Sequence, residues 1–278
     1  MRICSVRAPE GPALAVYVDG RVSALTPRAA DLTDALESLQ DGGEPALADG
    51  HEVDPELGPP LAPGKVVAVG LNYPMHAEES SEAPPAEPLL FAKFPSSVTG
   101  PGDAIVIDRE LTERVDWEVE LGVIVGRRMR HVPEAETLDY VFGYTVANDV
   151  SARDVQFGDG QWTRGKSFDT FCPIGPVIVT ADELGPPDDL RLTTRVNGEL
   201  MQDDSTSNMI FDVREILAFC SRCFTLEPGD LVLTGTPSGC GEFMDPKRSL
   251  QSGDVVEVAI EGIGAIENRV VEMNGGAR

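Results

Sequence analysis

Residues 116–126 have the sequence D-W-E-V-E-L-G-V-I-V-G, in which large apolar residues alternate with acidic or small ones over most of its length. Successive side chains of a β-strand point to opposite faces, so this alternation predicts a strand with one apolar and one acidic face. The apolar face consists of Trp117, Val119, Leu121, Val123 and Val125. The acidic face carries Asp116, Glu118 and Glu120. The fold must therefore accommodate three neighbouring carboxylates.

Two environments can hold three carboxylates on one strand face. Like charges at this spacing repel one another unless water or a cation neutralises them. The acidic face could be the solvated outer face of an antiparallel sheet. Alternatively, paired oxygen ligands on that face could bind a hard divalent cation. The strand by itself leaves both interpretations open.

The charge balance restricts the partners of the chain. Its 47 acidic and 22 basic side chains give a formal net charge of −25, which argues against binding to nucleic acid or to anionic membrane surfaces. No apolar run approaches the roughly 20 residues that a membrane-spanning helix needs. A field of this sign also repels an acidic substrate, so an anion site needs local cations. Lysine is rare, and Lys166 lies within a motif-like block.

Cysteine usage predicts a cytoplasmic location. The five cysteines are an odd number, and the sequence shows no apolar segment of the kind found in signal peptides. Free thiols in a reducing compartment account for them most simply. Cys220 and Cys223 form a single C-x-x-C pair, and without a second pair it does not indicate a zinc site.

Residues 1–62 are predicted to form a small N-terminal α+β domain that ends in a linker. Short strands are expected at Arg2–Val6 and Ala13–Val18, on either side of a Gly-Pro turn signal. A short helix is expected at Thr33–Gln40. The polar, Gly/Pro-rich tract that follows, Asp41–Gly50 and then Pro55–Pro63 with His51 between them, is typical of a linker.

The main domain is predicted to span residues 63–278 and to begin with a buried strand at Lys65–Gly70. Many strand patterns follow, with only a few short helices between them, and Asn197-Gly198 predicts a hairpin turn. This indicates an α+β domain that is mainly β. A doubly wound parallel sheet is disfavoured because the strands and helices do not alternate regularly.

Six sequence blocks follow one another along the main domain: G-L-N-Y-x-x-H-x-x-E (70–79), F-x-K-F-P-S-S (91–97), E-x-E-L-G (118–122), N-D-x-S-A-R-D-x-Q (148–156), K-S-F-D-T-F-x-P-I-G-P (166–176) and L-T-G-T-P-x-G (233–239). Together and in this order they resemble the fumarylacetoacetate hydrolase family, over residues 64–272. The chain is most similar to the small two-part members, such as acylpyruvate hydrolases.

The resemblance implies a mixed β-roll catalytic domain, a homodimer and a divalent cation. The family's metal ligands correspond to Glu118, Glu120 and Asp149. Ligation by oxygen alone favours Mg²⁺, with Mn²⁺ or Ca²⁺ as alternatives, over zinc, which prefers histidine or cysteine. Asp116 has no counterpart among these ligands, so we expect it either to support them or to lie exposed.

The resemblance also implies the catalytic residues. His76 and Glu79 correspond to the family's pair that activates water, although a single histidine is more often structural. A carboxylate three residues away can orient the imidazole and increase its basicity. Lys166 corresponds to a lysine that contacts the substrate near the metal, where an ammonium group stabilises a carboxylate or a developing oxyanion.

Arg153, Gln156 and Thr236 fall on positions that resemble substrate-contacting or structural residues of the family's site. For Arg153 the competing roles are an ion pair with Asp154 and a position beside a metal ligand. Lys93 lies in a motif block, where it could belong either to the site or to the packing around it.

Two further features concern the substrate pocket. Met75 stands where many relatives carry an acidic or polar residue, which would make the pocket more apolar if this side chain contacts the substrate. The Pro/Ser/Glu-rich segment 78–88 is predicted to be a lid that closes over the substrate.

The predicted function is metal-dependent hydrolysis of a C–C bond in a 2,4-dioxo acid, an acylpyruvate or a fumarylpyruvate-like compound. The substrate is a small anionic keto acid, the intermediate is a metal-bound enolate, and His76 with Glu79 activates water. Alternatives on the same site are decarboxylation of oxaloacetate-like acids, and isomerisation or decarboxylation of hydroxymuconate-like diacids. A catalytically inactive binding module is disfavoured, because every metal and water-activating position carries a competent residue.

Overall fold

β-strands form most of the secondary structure in the computed structural model. The model describes residues 1–8, 11–18, 21–26, 32, 35–36, 46–47 and 56–273. The strands of the described residues are β1 (Arg2–Ala8), β2 (Gly11–Val18), β3 (Arg21–Thr26), β4 (Ala46–Leu47), β5 (Leu57–Gly58), β6 (Val66–Gly70), β7 (Leu89–Lys93), β8 (Val98–Thr99), β9 (Ile105–Ile107), β10 (Val115–Asp116), β11 (Val119–Val125), β12 (Val141–Asn148), β13 (Ser151–Ala152), β14 (Cys172–Thr180), β15 (Arg191–Val196), β16 (Glu199–Ser205), β17 (Leu231–Leu233), β18 (Val255–Ile260) and β19 (Gly264–Glu272).

The helices are few and short. The α-helices that lie within residues 56–273 are α1 (Pro74–Glu79), α2 (Arg153–Asp159), α3 (Thr163–Lys166), α4 (Ala181–Leu184) and α5 (Val213–Cys223). Single 3-10 turns or short 3-10 helices occur at Pro95–Ser97, Glu134–Tyr140, Thr206–Asn208 and Gly241–Phe243. No helix within the described residues combines the length and the apolar character needed to cross a membrane.

The strands of the described residues form one large sheet and two smaller ones. The large sheet has the order β4-β3-β2-β1-β14-β12-β11-β17-β6-β7, with β5 beside β1 and β8 beside β14. A second sheet has the order β16-β15-β18-β19-β9, and β10 pairs with β13. Parallel pairs such as β17 with β6 occur among antiparallel ones. The prediction of a mainly β, mixed-sheet α+β fold is confirmed, and so is the Asn197-Gly198 hairpin between β15 and β16.

The N-terminal strands extend the large sheet. β1 pairs with β14 in an antiparallel register that places Ile3 opposite Ile178. The two strands predicted near the N-terminus are both present. Most of the helix predicted at Thr33–Gln40 lies outside the described residues, as does most of the linker. The division of the chain at residue 62 remains a prediction.

The acidic strand differs from its prediction in two respects. The expected single strand is two strands, β10 and β11, separated at Trp117 and Glu118. The strand is interrupted because side chains bond its backbone: Trp117 N donates to Asp116 Oδ1, and Glu118 N donates to Asn148 Oδ1. All residues of β11 are buried, so the interpretation of a solvated outer face is wrong.

Candidate active site

The three predicted metal ligands lie together in the interior. Glu120 lies on β11, Glu118 immediately precedes it, and Asp149 immediately follows β12. Val119 pairs with Asn148 across these antiparallel strands, which brings the three acids to one end of the pair. One oxygen from each carboxylate lies within 4.8 Å of the others. Their exposed fractions are 4%, 1% and 0% for Glu118, Glu120 and Asp149.

Two buried lysines contact these carboxylates. Lys166, the last residue of α3, places Nζ 2.7 Å from Glu118 Oε2 and 2.8 Å from Asp149 Oδ2. Lys93, the last residue of β7, places Nζ 2.5 Å from Asp149 Oδ1. Lys93 also donates to the main-chain oxygen of Lys166. Lys93 therefore belongs to the charged site, which its sequence block left undecided.

Arg153, at the start of α2, contacts the same cluster. Its Nη1 lies 2.7 Å from Glu118 Oε1 and donates to Gln156 Oε1 at 3.1 Å. The alternative ion pair with Asp154 is absent, because the Asp154 carboxylate accepts a hydrogen bond from Thr112 instead. Arg153 is thus placed beside a predicted metal ligand.

Asp116 is buried and connects Arg153 to the main chain. Its Oδ2 accepts a 2.9 Å hydrogen bond from Arg153 Nε, and its Oδ1 accepts from the main-chain nitrogens of Trp117 and Gly241. The Glu242 nitrogen donates to Oδ2 at 3.1 Å. Of the two expectations for Asp116, a supporting role fits this arrangement and exposure does not.

The electrostatics of the site differ between neighbouring acids. Burial alone would raise the pKa of Glu118, but the charges of Lys166 and Arg153 outweigh it and hold that pKa to about 2. Burial raises the pKa of Glu120 well above its ordinary value, and the negative charges of Asp149 and Glu118 raise it further. The carboxylates are therefore unequally compensated by protein cations.

The carboxylate cluster fits a hard divalent cation. Among the described residues no cationic side chain forms an ion pair with Glu120, which is held by a 2.8 Å hydrogen bond from Gly235 N to Oε2. Gly235 has φ +95°, and a Cβ there would lie 2.7 Å from Cβ of Asn72, so only glycine suits this close approach. An all-oxygen donor set with excess negative charge is suited to Mg²⁺-type ions.

His76 and Glu79 form a pair on α1. Nδ1 of His76 lies 2.7 Å from Glu79 Oε1, and Glu79 Oε2 accepts a 2.9 Å hydrogen bond from Gly239 N. Because an ionised carboxylate only accepts hydrogen bonds, this contact assigns the imidazole proton to Nδ1. Nε2 then carries the lone pair that a general base needs.

A cavity of about 300 Å³ joins these groups. The predicted site residues on its wall are His76, Glu118, Glu120, Arg153, Gln156, Lys166 and Thr236. Glu79 and Asp149 do not line the cavity, but Glu79 contacts His76 and Asp149 contacts Lys166. Thr236 Oγ1 accepts a 2.9 Å hydrogen bond from Gln202 Nε2, which anchors it in the wall.

Apolar residues also line the cavity, and they were not predicted. They are Val69, Leu71, Leu89, Phe91, Phe157, Trp162 and Phe243. Met75 is 56% exposed and is not part of the wall, so it does not supply this apolar character. One residue in the first sequence block, Gly70, is related to this apolar lining. A Cβ at Gly70 would overlap the indole of Trp162, so a glycine there leaves room for the tryptophan.

The model for the family described as "Fumarylacetoacetate (FAA) hydrolase C-terminal" matches residues 65–271. The chain belongs to the fumarylacetoacetate hydrolase family. The family resemblance and the fold type expected from the sequence are both confirmed.

Other family members show which activities occur among similar proteins. The mitochondrial oxaloacetate tautomerase Fahd2a of Rattus norvegicus is 47% identical over 216 residues, which cover 77% of this chain and 69% of the relative. Two of the solved structures with the same fold are matched by this chain over their whole length. Fumarylacetoacetate hydrolase from Exiguobacterium antarcticum is 40% identical with a TM-score of 0.88, over 98% of this chain. A 2-hydroxyhepta-2,4-diene-1,7-dioate isomerase from Mycobacterium marinum is 38% identical with a TM-score of 0.81, over the whole chain.

Proposed function

We propose that this chain catalyses keto–enol tautomerisation of oxaloacetate or a closely similar short 2-oxo diacid, with Mg²⁺ as its cofactor. Mn²⁺ and Ca²⁺ are the alternative cations. The observation that carries the proposal is that the oriented base His76 opens into the same cavity as the carboxylate cluster. The 47% identity to an oxaloacetate tautomerase supports this choice among the activities of the family.

Glu118, Glu120 and Asp149 would hold the cation. When bound, a hard cation acts as a Lewis acid that polarises a 2-oxo group and stabilises enolate charge. The protein's own part is to keep the three carboxylates together, and the burial of β11 and the contacts of Lys166 and Arg153 do so.

His76 is suited to move the proton. Conversion of the enol to the ketone removes a proton from the 2-hydroxyl group and adds one at C3. Nε2 of His76 can accept and return a proton, because Nδ1–H is held by Glu79. The cavity surrounds this exchange, and its apolar wall residues limit access of water.

Lys166 and Arg153 explain how an acidic protein can admit a dianion. Both side chains line the cavity, and their positive charges lie within hydrogen-bonding distance of the carboxylate cluster. With a divalent cation present, the local charge becomes positive even though the chain carries −25 in total. A small oxo diacid can then be bound through both of its own carboxylate groups.

The test follows the loss of the ultraviolet absorbance of enol-oxaloacetate over time. The rate measured with Mg²⁺ alone is subtracted. The chain should accelerate the decay, EDTA should abolish the acceleration, and Glu120→Gln should reduce it at least about a hundredfold. Glu134→Gln, at an exposed position away from the cavity, is the matched control and should retain the rate. A rate no faster than that of Mg²⁺ alone would refute the proposal.

A second candidate function is hydrolysis of the C–C bond of a 2,4-dioxo acid such as an acylpyruvate. The pair of His76 and Glu79 favours it, because the same Nε2 could remove a proton from water. Pyruvate release from acetylpyruvate measures this activity directly. His76→Asn should abolish both tautomerisation and hydrolysis while sparing decarboxylation of oxaloacetate, which needs no attacking water. Equal loss of all three activities would indicate a structural role for His76.

A further inference from the structure

A second cluster of metal-ligating side chains lies beside the carboxylate cluster. It consists of His76, Glu79 and Cys240, whose ligand atoms lie within 4.8 Å of one another. Nδ1 of His76 is 2.7 Å from Glu79 Oε1 and 3.9 Å from Cys240 Sγ. The side chains come from two segments, α1 and the loop after β17, and the Gly239 N–Glu79 hydrogen bond joins these segments. The three donors are therefore held near one another by the fold.

The donor set of this cluster differs from that of the carboxylate cluster. It offers one nitrogen, one oxygen and one sulfur, a combination that suits Zn²⁺ and other thiophilic cations and that Mg²⁺ does not use. In a tetrahedral zinc site, nitrogen and oxygen ligands lie roughly 3.4 Å apart, and nitrogen and sulfur roughly 3.6 Å apart. The observed separations differ from these by less than about 1 Å, so small side-chain rotations would complete three corners of a tetrahedron.

We propose that His76, Glu79 and Cys240 form an inhibitory site for a thiophilic divalent cation, Zn²⁺ or Cd²⁺. Binding forms bonds to Nδ1, to a Glu79 oxygen and to Sγ, and it releases the thiol proton to solvent. The imidazole proton moves from Nδ1 to Nε2. Water or a group from the cavity fills the fourth position.

Inhibition follows from where the imidazole proton then resides. With Nδ1 bound to the cation, the neutral ring carries its proton on Nε2, which can no longer accept one from the substrate or from water. The bond between Nδ1 and Glu79 is lost at the same time. The inhibitory effect rests on the proposed function of His76, whereas the binding of the cation does not.

Binding is tested with Cd²⁺, whose bond to a thiolate gives an ultraviolet charge-transfer band. The exposed Cys223 could also bind Cd²⁺, so the parent for this experiment is Cys223→Ser, at a position that is part of neither the cluster nor the cavity wall. That protein should show the band at one equivalent of Cd²⁺ in the presence of excess Mg²⁺. Adding Cys240→Ala should remove it. A band that persists without Cys240, or no band in the parent, overturns the site.

Inhibition is tested by Zn²⁺ titration of the tautomerase assay at saturating Mg²⁺, with each variant compared with its own uninhibited rate. Cys240→Ala should need at least about tenfold more Zn²⁺ for half-inhibition. Cys240→Ser serves as the conservative variant, in case alanine disturbs the fold. Equal Zn²⁺ sensitivity in all variants would place the inhibition at the carboxylate cluster and refute the inhibitory role. A Cd²⁺ band in a chain without tautomerase activity would keep the site and refute the proposed function.

Discussion

Arg153 Nε donates a 2.9 Å hydrogen bond to Oδ2 of Asp116, while Nη1 of the same guanidinium lies 2.7 Å from Glu118 Oε1. One arginine therefore connects a predicted metal ligand to Asp116, a buried acid that is not among the three carboxylates of the carboxylate cluster. Asp116 offsets the charge of Arg153, so that this guanidinium competes less strongly with a cation for Glu118.

Asp116→Asn should weaken Mg²⁺ binding about tenfold to a hundredfold, as measured by calorimetry. The amide leaves the Arg153 charge without its partner and directs it at Glu118. In an Arg153→Gln background the same substitution should have a much smaller effect, because no guanidinium remains to be offset. Asp188→Asn, which removes an exposed acid paired with Arg214, is the control. Equal effects of Asp116→Asn in both backgrounds would contradict the coupling.

Lys166→Met should destabilise the cation-free protein by about 3–5 kcal/mol, because buried Glu118 and Asp149 lose a cationic partner. Mg²⁺ should restore part of this loss, so the rise in Tm on adding Mg²⁺ should be larger than in the parent. The control is Lys247→Met, at a lysine whose side chain is 65% exposed. A Mg²⁺-dependent rise in Tm equal to that of the parent would show that Lys166 does not act through the carboxylates.

One thiol should react with a chromogenic disulfide reagent in the native protein, and all five should react in denaturant. Cys223 is the exposed cysteine, whereas Cys4, Cys172, Cys220 and Cys240 are buried. Burial also raises the pKa of Cys4 to about 11 and those of Cys172 and Cys220 to about 12, which suppresses the reactive thiolates. Cys223→Ser should remove the fast-reacting thiol. Fast reaction of a second thiol would contradict the burial of the others.

The sequence was sufficient to predict which three acids form the carboxylate cluster. Glu118 and Glu120 follow from alternation and family resemblance, and Asp149 from resemblance alone. Alternation could not show that the strand divides at Trp117, because it carries no information on the hydrogen bonds that Asp116 and the distant Asn148 make to the backbone there.

The remainder of the site depends on pairings between distant parts of the chain. The role of Lys93 follows from the antiparallel pairing of β6 with β7, which carries its ammonium group to Asp149. Phe243 and Cys240 reach the site through a loop fixed by hydrogen bonds to Asp116 and Glu79, and no local pattern marks that path. The homodimer and the cytoplasmic location remain predictions, for which sedimentation and fractionation are the tests.

The position of Trp162 against Gly70 gives the chain an optical reporter of its own cavity. The protein has two tryptophans, and Trp117 is fully buried in the core. In a Trp117→Phe variant, emission from Trp162 alone should shift when a 2-oxo acid enters beside it in the presence of Mg²⁺, and should stay unchanged with a cationic amine of similar size. Ligand occupancy could then be followed in real time without label, coupling enzyme or turnover.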